Sequence, residues 1–283
     1  MLWLMVCLLF DGLATVPRAL AHEDLRALID AVSQQIESDP HNAALYLRRG
    51  ELYRAHAEWR LAENDYDRTA QLDPQLDAVE FCRGRLFFES GEVQRAKVML
   101  NQYLARHPDH VEALLTRARL LVKIGEHKPA AEDFTRAIDH TSEPMPEYFL
   151  ERAQVQAEGR EFEAALHGLD EGMKRLGPFL GMQLYAIELE LARRHFDEAL
   201  SRLEAISARS ARKEKWLARR GEILVLAGRS DEAVKSFAAA LAAIEALPLH
   251  LRQSLAMVDL KKRVSGTLAA TGGNSKSASD RKK

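Results

Sequence analysis

Apolar residues along most of the chain recur every three or four positions, in paired stretches separated by turn-forming residues. In residues 217–226 and 233–241, for example, Leu, Ile, Val, Ala and Phe side chains follow this spacing, and Gly228 separates the two stretches. The spacing matches the period of an α-helix, about 3.6 residues, and no segment shows the strict alternation that is typical of a half-buried strand. The hydrophobic pattern therefore predicts an all-α fold built from pairs of antiparallel helices.

The helix pairs repeat along the sequence with a constant period. Pro40, Pro74 and Pro108 follow one another at steps of 34 residues. Small residues keep the same step, which resumes after one additional residue between the third and fourth members of the series Ala62, Ala96, Ala130, Ala165, Ala199 and Ala233. Different residue types that share one period indicate that a single supersecondary unit is repeated.

The residues at these positions resemble the consensus of the tetratricopeptide repeat family, whose unit has about 34 residues in two helices. In the first full repeat the matching residues are Gly50, Tyr53, Ala62, Tyr66 and Pro74. The resemblance covers residues 43–245 and implies a right-handed α-solenoid of stacked antiparallel helix pairs. It predicts about six repeats, at approximately 43–76, 77–110, 111–145, 146–179, 180–213 and 214–247.

Glycines stand where the first helix of several repeats should end. Gly91, Gly125, Gly159 and Gly228 are suited to the left-handed backbone conformation that closes many helices. We therefore expect each of these four residues to form the turn between the two helices of its repeat.

The ends of the repeat array also carry predicted elements. Residues 22–42 contain one amphipathic stretch and are expected to form an orphan N-terminal capping helix, and residues 248–264 a C-terminal capping helix. Repeat stacks need such caps because a terminal repeat otherwise exposes an apolar face. The Ser- and Gly-rich residues 265–283 are expected to form a disordered tail.

The first residues resemble a secretory signal peptide. Leu2 to Phe10 are apolar but too few to span a bilayer, and the small residues Ala19 and Ala21 precede a polar segment. We expect residues 1–21 to be removed on export, which predicts a periplasmic or secreted protein without stable membrane insertion after cleavage. The alternative is a cytoplasmic protein in which this segment is a buried terminal helix.

Composition narrows the possible functions. Hydrophobic residues make up 47% of the chain and charged residues 29%, as in a folded soluble domain, and the formal net charge is -2. Because nucleic-acid binding requires an excess of Lys and Arg, we expect no nucleic-acid partner. Of the two cysteines, Cys7 lies in the predicted signal segment, and Cys82 is expected to fill apolar space as a free thiol.

The sequence offers no constellation for catalysis. It contains no HExxH, GxSxG or GxxxxGK[ST] motif. His107 and His110 flank a turn, but without a third ligand they predict a solvated turn rather than a metal site. We therefore expect a protein that is not an enzyme and that holds no metal or cofactor.

The resemblance implies a concave groove lined by the first helix of each repeat, which could hold an extended peptide or a helix. In the first three repeats it assigns to this groove Leu47, Glu51, Arg54, Phe81, Arg85, Phe88, Leu115, Arg119 and Val122. Phe81 and Phe88 are seven residues apart and share a helix face with Arg85 between them, as in a binding hot spot. The alternative is that the Phe side chains pack on a neighbouring repeat and the Arg side chains are solvated. The arginines predict a groove that is positive at its N-terminal end, since repeats four to six are less basic there.

These features predict a non-catalytic scaffold or adaptor that binds another protein in its groove. The alternative is an accessory subunit that modulates an envelope enzyme or assembly through its convex face or its tail. Family members that clamp the C-terminal carboxylate of chaperones use Lys and Asn at fixed groove positions. Leu47, Glu51 and Cys82 occupy those positions here, so we expect no such clamp.

Overall fold

The computed structural model describes the backbone of residues 18–280 and the side chains of residues 24–271. Every regular element in the described residues is a helix, which confirms the predicted all-α fold of consecutive helix pairs. The helices are α1 (Arg18–Ser38), α2 (Ala43–Ala55), α3 (Trp59–Leu72), α4 (Ala78–Glu89), α5 (Val93–Arg106), α6 (Val111–Lys123), α7 (His127–His140), α8 (Pro146–Glu158), α9 (Phe162–Leu176), α10 (Leu180–Ala192), α11 (Phe196–Arg209), α12 (Glu214–Leu226), α13 (Ser230–Glu245), α14 (Leu249–Arg252) and α15 (Leu255–Asp280).

The helices fall into two compact bodies. The N-terminal body is residues 1–140, with α1 to α7, and the C-terminal body is residues 141–283, with α8 to α15. Within each body a first helix packs against the second helix of the same repeat, from α2 with α3 to α12 with α13. One such pair lies in each of the six ranges that the sequence predicts.

A small residue in the first helix lets the second helix approach closely. A Cβ atom added to Gly221 would lie 2.5 Å from the Phe237 ring, and one added to Gly50 would lie 2.6 Å from the Tyr66 ring. Both aromatic rings are fully buried and stand 16 residues after the glycine. The period of small residues in the sequence therefore reflects direct contact between the two helices of a repeat.

An arginine one residue before the small position joins the same two helices in repeats one and three. The guanidinium of Arg49 donates two hydrogen bonds of 2.8 Å to Asp65, and that of Arg117 donates two of 2.7 Å to Asp133. Both carboxylates are buried. Each bidentate ion pair satisfies a buried charge and fixes the register between the helices.

The turn between the two helices of a repeat contains a left-handed residue in all six repeats. Glycine occupies this place in three of them, as predicted for Gly91, Gly125 and Gly228. In the fourth repeat the left-handed residue is Arg160, with φ of 63°, and not Gly159, so the expectation for Gly159 is corrected. The additional residue between repeats three and four moves the turn by one position. In repeats one and five the left-handed residues are Ala57 and Arg194.

The ends differ from the sequence-based expectation. α1 begins at Arg18, and the remainder of the predicted signal segment lies outside the described residues. The C-terminal cap consists of α14 and α15, and α15 continues past Val264 through residues expected to form a disordered tail. Leu260 and Val264 belong to the core cluster beside α13, and Leu268 packs against it. This apolar stripe extends the helix beyond the boundary that composition predicts. No helix in the described residues is long and apolar enough to cross a membrane.

Candidate partner-binding site

The first helices of the N-terminal body lie next to one another. α2 contacts α4, and α4 contacts α6. The nine residues predicted to bind a partner lie on these helices at three corresponding positions, separated by four and three residues. Such spacing places them on one side of each helix. We call the surface that they form the first-helix face.

The row formed by Leu47, Phe81 and Leu115 is the most enclosed part of this face. Leu47 is half-buried, whereas Phe81 is 6% exposed and Leu115 is 5% exposed. The Phe81 ring lies 5.5 Å from the ring of Tyr103 and 5.0 Å from that of His110. Of the two interpretations that the sequence left open for Phe81, the structure shows packing between α4 and its neighbours.

Glu51 is the centre of a polar network on the middle row. It accepts hydrogen bonds from the Tyr66 hydroxyl at 2.5 Å and from the Arg54 guanidinium at 3.1 and 3.2 Å. Arg85 Nη1 lies 3.5 Å from Glu51 Oε2 and 3.9 Å from Glu112 Oε2, so it links α2 to α6. Burial alone would raise the pKa of Glu51, but the hydrogen bonds from Arg54 and Tyr66 outweigh it and hold the pKa below its ordinary value.

The third row is open to solvent along one edge. Arg54 Nη1 donates to both carboxylate oxygens of Glu89, at 2.6 and 2.7 Å, and so connects α2 to α4. Phe88 and Val122 are half-buried, and the Lys123 ammonium lies 5.8 Å from the centre of the Phe88 ring. Apolar side chains on this row therefore remain accessible beside paired charges.

Positive and negative side chains alternate on the first-helix face. Arg54 and Arg85, which predicted a positive groove, are both matched by carboxylates. Arg119, in contrast, is exposed on α6. The charge of this face is thus nearly balanced in its first two repeats, because each inward arginine has an acidic neighbour on the same or the next first helix.

Sequence reasoning missed several residues that organise this face. Glu89 and Glu112, on successive first helices, hold the arginines, and Tyr66 on α3 holds Glu51. The signal was available in part, since Glu89 follows Arg54 by 35 residues, about one repeat. The contact with Tyr66 spans 15 residues and reflects how closely α2 and α3 approach.

The remaining reactive side chains near this face are engaged. Burial, and then the charge of Glu51, raise the pKa of Cys82 to about 12, so its thiol is protonated at neutral pH. His107 Nε2 lies 2.5 Å from an Asp77 carboxylate oxygen, and His110 Nδ1 accepts the backbone N–H of Ala113 at 3.2 Å. In the described part of the chain, no group of three or more His, Cys, Asp or Glu side chains is arranged to hold a metal ion.

Several solved structures are similar to this chain. A tetratricopeptide repeat protein from Parabacteroides merdae is 17% identical over 87% of this chain and 94% of that chain, with a TM-score of 0.51. The C-terminal part of a TPR repeat-containing protein from Cytophaga hutchinsonii is 13% identical over 86% and 97%, with a TM-score of 0.60. A chain in the structure of Naa15/Naa10 bound to HypK-THB is 14% identical over 87% and 38%, with a TM-score of 0.52. These likenesses show the fold alone.

Sequence comparison gives the family directly. No curated protein matches this chain. The tetratricopeptide repeat profile, however, matches residues 83–142, 115–180 and 186–248, which together make up more than half of the sequence. Repeats of this kind indicate a protein-interaction scaffold. The chain belongs to the tetratricopeptide repeat family.

Proposed function

We propose that the protein is a non-catalytic scaffold or adaptor that holds a partner peptide or helix along the first-helix face. The observation that carries the proposal is the third row, where half-buried Phe88 and Val122 adjoin exposed Arg119 and Lys123 on neighbouring helices. Accessible apolar side chains beside cations are typical of binding hot spots. Phe81 and Leu115, which are buried, support the shape of this surface from below.

The charge pattern indicates the kind of partner that this face accepts. Arg54, Arg85 and their carboxylate partners neutralise one another, so a highly charged partner would gain little from this part of the face. An amphipathic segment suits the surface better, with apolar residues against Phe88 and Val122 and a carboxylate near Arg119 or Lys123. The Naa15/Naa10 structure bound to HypK-THB supports a protein partner in general, since its chain of similar fold is part of a protein complex.

Site-specific photocrosslinking tests which surface is used. A photoreactive amino acid replaces Phe88 on α4 in one variant and Val98 on α5 in the control, where the native side chain is 50% exposed. Both positions lie in the second repeat of the full-length chain, expressed in its native host. We expect a discrete crosslinked protein from position 88 and none from position 98.

A pair of matched substitutions then measures the contribution of the face. Phe88→Ser/Val122→Ser should release the crosslinked protein, whereas Leu61→Ser/Val98→Ser, which changes exposed apolar residues on second helices, should retain it. Circular dichroism establishes that both variants are folded. Crosslinks from position 98 alone, or equal loss of the partner in both variants, would favour the alternative of an accessory subunit that acts through its second-helix surface.

A further inference from the structure

The C-terminal body contains an open cavity of about 530 Å³ that is separate from the first-helix face. It lies where the segment before α10, the end of α11 and the start of α12 meet. Its floor is apolar and includes Pro178, Leu180, Ile206 and Trp216. Ile206 and Trp216 belong to a core cluster, whereas Leu180 is 44% exposed. We call this feature the Trp216 cavity.

The floor of the Trp216 cavity is held in place by hydrogen bonds. The indole Nε1 of Trp216 donates to Ser210 Oγ at 2.8 Å, and Ser210 Oγ donates to the carbonyl oxygen of Ile206 at 2.9 Å. The Lys215 ammonium lies 4.3 Å from the centre of the Trp216 ring. Because the ring is 7% exposed and its polar atom is satisfied, it offers a fixed apolar surface.

The rim of the cavity is basic. Arg209, Arg212 and Lys215 line it, and no acidic side chain of the described residues does so. Arg212 Nε is paired with the buried Glu214 at 3.2 Å. Neither Arg209 nor Lys215 forms an ion pair with a described side chain. The whole chain has a net charge of -2, so this positive charge is local.

We propose that the Trp216 cavity binds an acidic segment of a partner protein. In this arrangement a large apolar side chain of the segment lies on Trp216 and Leu180, and flanking carboxylates pair with Arg209 and Lys215. The cations supply attraction and orientation, and the apolar floor supplies the selectivity for a peptide over other anions. The inference does not depend on partner binding at the first-helix face, because it concerns different residues in the other body.

The first experiment uses defined peptides. A fluorescein-labelled heptapeptide carries one Phe flanked on each side by Asp and Glu. One companion peptide has Ser in place of Phe, and a second has Asn and Gln in place of the acids. Fluorescence anisotropy with the full-length protein should show binding of the first peptide, and about tenfold weaker binding of each companion, which corresponds to about 1.4 kcal/mol.

Variants of the protein then assign the binding to the cavity. Arg209→Gln/Lys215→Gln should weaken binding about tenfold and reduce its dependence on salt, since the charges that salt screens are removed. Leu180→Ser should weaken binding to a similar extent but leave the salt dependence unchanged, and its exposure allows the change without loss of the core. The matched control is Lys235→Gln/Lys262→Gln, which removes two exposed cations elsewhere in the same body.

Several outcomes would overturn the proposal. Equal binding of the peptide that lacks Phe would reduce the cavity to a non-specific positive patch. Tighter binding of a single-stranded oligonucleotide or of phosphatidylglycerol vesicles than of the acidic peptide would assign the cations to another class of partner. Equal weakening by the control variant would place the peptide outside the cavity. None of these results would change the expected crosslinks at position 88, so the two proposals fail independently.

Discussion

The close approach of Gly221 to Phe237 predicts that adding a single methyl group destabilises the last repeat. In Gly221→Ala the new Cβ would lie 2.5 Å from the Phe237 ring, whereas ordinary contact begins at 3.4 Å. The ring is 1% exposed and rigid, so it has to move by about 1 Å together with its neighbours. Overpacking of this kind costs about 1–3 kcal/mol, and the better helix propensity of Ala offsets about 1 kcal/mol. We expect a net loss near 1–2 kcal/mol.

The matched control is the same substitution where space is available. Gly266 lies in α15, and a Cβ added there would meet no atom within 4 Å. Gly266→Ala should therefore raise stability by up to about 1 kcal/mol through helix propensity alone. Thermal unfolding followed by circular dichroism compares the two variants, and amide hydrogen exchange in α12 and α13 localises the effect. Exchange is needed because repeat proteins can unfold in parts.

The result that would refute this reasoning is an equal gain from both substitutions. A second test follows from the geometry, since Phe237→Leu in the Gly221→Ala background should recover part of the loss if the two side chains compete for one space. Repeat three has Ala118 and Phe134 at the corresponding positions. The repeat thus accepts a methyl group when the helices are spaced for it, and the loss in repeat six measures how firmly the spacing of α12 and α13 is fixed.

Four further predictions concern other parts of the chain. Arg117→Met should cost about 3 kcal/mol in urea unfolding because it leaves the buried Asp133 carboxylate unpaired, and Arg117→Met/Asp133→Leu should recover most of it. Arg160→Gly should raise the melting temperature, since it relieves a left-handed backbone that costs a non-glycine residue about 1 kcal/mol. Glu51→Gln should destabilise at neutral pH. Because the folded-state pKa of Glu51 is lowered, its contribution is present above the ordinary value of 4.5, and the difference from wild type should vanish as pH falls through the folded pKa. N-terminal sequencing of exported protein should begin after Ala21, whereas an intact start would support the cytoplasmic alternative.

The fold within a repeat could be predicted from the sequence because its contacts are local and periodic. Gly50 meets Tyr66, and Gly221 meets Phe237, at a separation of 16 residues that recurs with every repeat. The left-handed turns at Arg160 and Arg194 could not be read from residue type, since their sequence carries no glycine there. A conformational cost of about 1 kcal/mol is small beside the packing of two helices, so the repeat geometry imposes the turn.

The candidate site was predictable in its location but not in its state. Helical spacing placed Phe81, Arg85 and Phe88 on one side of α4, and the structure places them there. The sequence could not show that Phe81 is enclosed by Tyr103 and His110, because those rings belong to later helices and their approach depends on how repeats stack. Accessibility of a side chain is set by its neighbours and not by its own helix.

Charge counting on the sequence and charge pairing in the structure identify different candidate surfaces. The arginines of the first repeats suggested a positive groove, but Arg54 and Arg85 each face carboxylates and supply little net field. Arg209 and Lys215 lie in a part of the sequence whose groove positions are less basic, yet neither has an ion-pair partner among the described side chains. An unpaired cation beside an apolar floor can gain a new partner, whereas a paired one first has to lose its own. On this argument, acidic ligands should distinguish the two surfaces: Arg209→Gln/Lys215→Gln should affect their binding more than substitution of Arg54 does.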